Sequence, residues 1–270
     1  MTSTSYLVES HDSPAEREAF PRVFIDGIPV FAGTREAAIG RVMDLAKSRA
    51  GARIATANLD FFALARRNER LRADLRDSSL VVADGMPVVW LAKLQGARAT
   101  ERLAGADLVA EFFRRDHGRQ LRIAVYGSTA EVCGIAVAAL HAEGEGARVV
   151  HIDNPPFRAL TTSERSEAVA ALQACAPDVV FVALGCPAQE RWIAETAAEL
   201  PEAAFVGIGG SLDFFAGVRK RAPQMAQRAG AEWLVRMVQE PRRLGKRYLL
   251  RDIPALVRIA PGCMIRRSSV

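Results

Sequence analysis

Between Ile54 and Leu91 the chain reads IATANLDFFALARRNERLRADLRDSSLVVADGMPVVWL. Short apolar runs alternate with longer helix-spaced segments, giving strand, helix, strand, helix. This alternation constrains the fold more than any other feature, because neighbouring parallel strands must be joined by a crossover long enough to hold a helix. Each strand hands over through a short polar segment, Thr56-Ala57-Asn58 after the first and Asp84-Gly85-Met86-Pro87 after the second. In a parallel sheet both segments lie at the carboxyl ends of strands, where open α/β sheets bind ligands. Asp84 directly follows the apolar run Leu80-Val81-Val82-Ala83. A carboxylate there is partly desolvated and directed into a crevice, which suits a general base. Asp-Gly after a strand is also ordinary turn chemistry. A cap on a helix starting near Met86, with Pro87 in its first turn, accounts for the same residues.

The remaining chain extends the pattern. Arg22 to Ala32 reads as a small hairpin turning at Asp26-Gly27. Thr34 caps a helix whose Ala38, Val42, Leu45 and Ala46 share one face. Further strands are expected at 122–126, 149–152, 178–184 and 204–208, with helices at 106–115, from 130 to about 143, at 162–174 (capped by Thr162) and from 188 to 200. Strands of apolar, β-branched residues alternating with helices predict an α/β fold. Its mostly parallel, Rossmann-like sheet would be covered by helices on both faces, with the hairpin at one end. Residues 1–20 read as a disordered leader, 21–216 as the Rossmann-like domain and 217–270 as a basic helical appendage. The appendage is expected to hold helices at 224–239 and from about 241, then the apolar stretch IPALVRIAPGCMIRR.

Charge is unevenly spread. From Arg219 to Val270 there are thirteen Lys/Arg against three Asp/Glu, a balance of +10, so the other 218 residues sum to −5 of the total +5. A basic tail on a mildly acidic body calls for an anionic partner. Arginines around Leu244, Tyr248 and Leu249 suit a membrane interface or a phosphate-bearing ligand; a solvated helical hairpin packed on the domain fits the same pattern. Trp233 and Tyr248 are too few aromatics for stacking on single-stranded nucleic acid, and no nucleic-acid partner is expected. The four cysteines are scattered without a C-x-x-C pair, which suits a reducing compartment and speaks against a zinc site. The polar first twenty residues do not read as a signal peptide, and no uncharged run is long enough to span a bilayer.

Three strand ends carry glycine-rich turns. Gly127-Ser128-Thr129 offers backbone and hydroxyl donors at a helix start, as a phosphate requires. Gly185-Cys186-Pro187-Ala188-Gln189 repeats the arrangement, with the Gln189 amide placed for a diphosphate or a base edge. Gly209-Gly210-Ser211 is the third, with Asp213 as an acceptor for ribose hydroxyls. Together they suggest a nucleotide or nucleotide-sugar. Neither G-x-G-x-x-G nor G-x-x-x-x-G-K is present, which weakens a dinucleotide-dependent oxidoreductase or epimerase and excludes a Walker loop. A lipid- or nucleic-acid-binding module with a basic tail is the other alternative. It leaves the polar strand-end crevice unexplained.

The ordered set Thr56-Ala57-Asn58, Ala83-Asp84-Gly85, Arg102-x-x-Gly105-x-Asp107, Leu184-Gly185-x-Pro187-x-Gln189-Glu190 and Gly207-x-Gly209-Gly210-x-x-Asp213 resembles the WecG/TagA/CpsF family. Gly217-x-x-x-Arg221-Ala222-Pro223, Glu232-Trp233-Leu234-x-Arg236 and Glu240-Pro241-x-Arg243 continue the likeness, which covers roughly residues 22 to 250. The resemblance implies an inverting glycosyltransferase at the inner face of the bacterial cytoplasmic membrane. It would move N-acetylmannosamine, its uronic acid or glucose from a UDP-sugar to a polyprenyl-diphosphate-linked sugar in cell-surface or exopolysaccharide synthesis. It implies no metal or other cofactor, and self-association of the chain. By the same resemblance Asp84 is the catalytic base, Thr56 and Asn58 position substrate, and Arg102 and Gln189 belong to the pocket. Arginines among Arg236, Arg243 and Arg247 would close over the donor diphosphate.

Overall fold

Residues along each central strand alternate between two apolar layers, the period-two pattern of a sheet buried on both faces. In β7 (Val179–Ala183), Val179, Phe181 and Ala183 face one core while Val180 and Val182 face another. The computed structural model describes residues 20–223, 225, 232–239 and 241–267. The leader expected at 1–20 thus lies outside the described residues, apart from Phe20.

Six parallel strands form the main sheet in the order β4 (Leu80–Ala83), β3 (Arg53–Ala57), β8 (Ala204–Gly207), β7, β5 (Leu121–Gly127), β6 (Ala147–Asp153). Helices α1 (Arg35–Ser48), α5 (Gly105–Arg114) and α6 (Ala130–His141) supply the core on one face. On the other face, α2 (Leu59–Ala65), α3 (Glu69–Arg76) and α4 (Met86–Leu94) cover β3 and β4, while α7 (Thr162–Cys175) and α8 (Ala188–Thr196) cover β5, β7 and β8. The hairpin of β1 (Arg22–Ile25) and β2 (Ile28–Phe31) turns at Asp26-Gly27, both with positive φ, and packs beside β4. Thr34 caps α1, its hydroxyl accepting from the Ala37 N–H. The cap of α7 is Thr161 rather than Thr162. Glu164 lies three residues on and accepts from the Thr161 N–H, closing a capping box.

After β8 come a short α9 (Leu212–Phe215) and then the tail: α10 (Glu232–Gln239), π-helical turns at Pro241–Gly245 and Tyr248–Asp252, and α11 (Ile253–Arg267). Ala255, Ile259 and Cys263, spaced four apart, form one buried stripe of α11 against the α2–α4 core. The end of the tail is therefore docked on the domain. Leu249, Leu250, Val257 and Met264 remain exposed. Among the described residues no helix is long and apolar enough to cross a membrane.

Candidate active site

The carboxyl ends of β4, β3, β7 and β8 open into one polar crevice of about 360 Å3, roofed by the tail. Thr56, Asn58, Asp84, Arg102, Gly185, Gln189, Gly209, Gly210 and Arg247 all line it. Gly127 and Ser128 do not: β5 lies beyond β7, away from the crevice. Gly127 answers to packing instead. With φ of +111°, a Cβ there would stand 2.7 Å from the Ala183 carbonyl. Asp213 lies just behind the wall and pairs with Arg219 at 3.2 Å. The side chains of Arg236 and Arg243 fall outside the described residues.

Strand and cap chemistry place the first group. Buried Thr56 donates its hydroxyl to the Gly207 carbonyl at 2.7 Å, tying β3 to β8 below the crevice. Asn58 caps α2, its Oδ1 accepting from the Asp60 N–H at 3.0 Å, which leaves the amide NH2 for other partners. Asp84 extends β4, its N–H donating to the Ala57 carbonyl at 2.9 Å. The cap position of α4 is Gly85, one residue on, with φ of +142° and no side-chain cap bond. Asp84 is thus half-buried at the wall and does not occupy the cap.

Five arginines enter the lining: Arg102, Arg219, Arg221, Arg247 and Arg251. Each faces a carboxylate. Arg102 donates to Glu232 at 2.7 Å and reaches Asp107 at 3.4 Å, while Arg221 donates to Asp107 at 2.7 Å. Arg251 holds Asp60 with Nε at 2.6 Å and Nη2 at 2.9 Å, and Arg247 lies 3.3 Å from Asp252. Burial pushes Asp60 up from its ordinary value and Asp252 up to about 6, against the pull of these arginines. Such guanidinium forks are suited to exchange a carboxylate for a diphosphate. Nothing in the local sequence marks Arg219, Arg221 and Arg251 as site residues. Arg221 belongs to the Gly217-x-x-x-Arg221-Ala222-Pro223 segment and Arg251 to the basic tail, but their partners lie 114 and 191 residues away. Among the described residues no three His, Cys, Asp or Glu side chains are grouped to hold a metal ion.

A second hollow of about 150 Å3 adjoins the first and is mostly apolar, bounded by Met86, Pro87, Trp90, Trp233, Tyr248 and Leu256. Trp233 meets Tyr248 edge to face, ring centres 6.0 Å apart. Asn58, Asp84, Arg102 and Arg247 line both hollows. Asp84 therefore stands on the wall shared by a charged chamber and a greasy one.

Comparison with known proteins bears on this arrangement. A family model, the glycosyl transferase WecG/TagA/CpsF family, matches residues 23–269. A Bacillus spizizenii protein named N-acetylglucosaminyldiphosphoundecaprenol N-acetyl-beta-D-mannosaminyltransferase is 32% identical over 193 residues, covering 72% of this chain and 73% of its own. Proteins of the same name from Bacillus subtilis and Staphylococcus aureus are 30% identical over 191 residues and 29% identical over 201 residues. They cover 71% and 74% of this chain, and 73% and 76% of their own.

Proposed function

The chain belongs to the WecG/TagA/CpsF glycosyltransferase family, and from that premise we propose that it transfers N-acetylmannosamine from a UDP donor to a polyprenyl-diphosphate-linked sugar, with inversion. One observation carries the reading: Asp84 stands between a chamber lined by arginines and one lined by aromatic and aliphatic side chains. The charged chamber suits a sugar nucleotide. The apolar chamber suits the first units of a lipid whose diphosphate rests on Arg102 or Arg247.

Transfer then needs no covalent intermediate. Asp84 accepts the proton of the acceptor's 4-hydroxyl as that oxygen bonds to the anomeric carbon, and the carbon–oxygen bond to UDP breaks on the opposite face. The leaving diphosphate gathers charge, which arginine and helix N-terminal N–H groups are placed to receive without a metal. Arg247 and Arg251 exchange Asp252 and Asp60 for phosphate oxygens in this scheme. Asn58 and Thr56 orient the sugars beside the base. The tail adds a surface of Leu249, Leu250 and Val257 with Lys246 and Arg258, fit to lie on anionic lipid at about 1 kcal/mol per basic residue near the surface.

The test is a transfer assay with UDP-N-acetylmannosamine, its uronic acid and UDP-glucose against a short-chain GlcNAc-diphosphate lipid, with excess chelator present. A disaccharide lipid of inverted anomeric configuration, formed from the first donor above all, is the expected product. No transfer from any of the three donors, together with no binding of UDP, overturns the reading.

A further inference from the structure

Glu190 lies in the first turn of α8, where an acid suits the helix N-terminus, yet its side chain is buried. Its Oε1 accepts from Gln189 Nε2 at 2.6 Å, and Gln189 Oε1 in turn accepts from the Gly209 N–H at 3.0 Å. These two bonds settle which end of the Gln189 amide is oxygen. Turned over, the amide would set its NH2 against a backbone donor and its oxygen against a carboxylate. The glycine turn at the crevice floor is thereby tied, through Gln189, to a carboxylate behind it. Gly207 leaves the space this requires, since a Cβ there would stand 2.7 Å from Gln189 Nε2 and 3.3 Å from Glu190 Oε1.

Packing gives no reason for an acid at this place. Burial pushes the Glu190 carboxyl up to about 7, and the same burial, with Glu190 beside it, pushes the Cys186 thiol up. A hydrocarbon of similar volume would fill the site without burying a charge. Buried acids with displaced titration collect where a site needs them.

We propose that Glu190 is a positioning residue for sugar transfer, holding the Gln189 amide in the one orientation that sets the Gly209–Gly210 turn beneath the donor. This rests on the transferase reading above. The experiment measures kcat, KM and melting temperature for the wild type, Glu190→Leu, Glu190→Gln, Gln189→Ala and the Gln189→Ala/Glu190→Leu double variant, using UDP-N-acetylmannosamine. Glu190→Leu is expected to lose about tenfold or more in kcat/KM, the usual effect of removing a hydrogen bond to a charged group, with no fall in melting temperature at pH 8. Glu190→Gln, whose amide oxygen still accepts from Gln189, should recover most of that loss. On the Gln189→Ala background the leucine change should add less than about twofold, because the two residues act as one unit. Should the leucine variant not fold, Glu190→Met is read in its place. Full activity of the apolar variant, or the same factor lost on both backgrounds, overturns the assignment. A wild type that transfers no sugar sinks the transferase reading itself, which separates the two failures.

Discussion

Replacing Glu190 by glutamine isolates the effect of one buried charge on stability. Burial moves this carboxyl from the ordinary 4.5 to about 7 in the folded protein. Between those values the unfolded chain has released a proton that the folded chain still holds, so stability falls as pH rises through the window. At 1.36 kcal/mol per pH unit the full loss is about 3 kcal/mol, complete above about pH 7. The side chain is 5% exposed, so solvent screens little of it. Glutamine keeps the shape and an acceptor for Gln189 but has no proton to lose. Wild type and Glu190→Gln should therefore melt at similar temperatures at pH 5. At pH 8 the variant should melt higher, by about 6–12 °C for a chain of this size. Asp252, also pushed up by burial, is present in both proteins and cancels from the difference. Differential scanning calorimetry at the two pH values reads the effect. Parallel pH profiles would refute the argument, because they would mean the Glu190 charge is solvated in the folded state.

Two further outcomes follow from single contacts. Asp178, almost fully buried, accepts from both Nη atoms of Arg119 at 2.7 Å and from the Arg122 N–H at 2.8 Å. Because Arg119 is half exposed and only the Arg122 N–H loses a buried acceptor, Asp178→Ala should cost about 1–3 kcal/mol in urea melts, and an unchanged midpoint would show these bonds to contribute nothing to stability. Arg251→Ala should weaken UDP binding about tenfold and flatten its salt dependence, measured by titration calorimetry at two ionic strengths, since one phosphate partner is lost; unchanged affinity would place the diphosphate elsewhere.

The local sequence carries the strands and their hand-overs well, because burial on both faces demands long apolar runs and each crossover demands a helix. Thr56, Asn58 and Asp84 could be read as neighbours for this reason: β3 and β4 are consecutive and pair directly, with Ala57 opposite Ala83. The Gly127-Ser128 turn has the same composition as the turns that line the crevice, yet it stands outside it. The order of strands, which puts β5 on the far side of β7, is a long-range property that no local pattern displays. The arginine pairs were hidden likewise, Arg251 meeting Asp60 across 191 residues. Glu190 stood in a recognised motif, but an acid at a helix start reads as exposed. Only burial under Gln189 shows otherwise. The apolar character of the tail's last stretch was legible, whereas the stripe of Ala255, Ile259 and Cys263 and its docking partner on the α2–α4 side were not.

Sugar transfer by this chain turns on Asp84 as the group that takes the acceptor's proton. Paired measurement of transfer rate and UDP affinity in Asp84→Asn tests it most directly, because the amide keeps the shape and removes the base. A fall in kcat on the order of a hundredfold or more, with UDP affinity within about threefold of the wild type, is the predicted result. Undiminished turnover in that variant would contradict it.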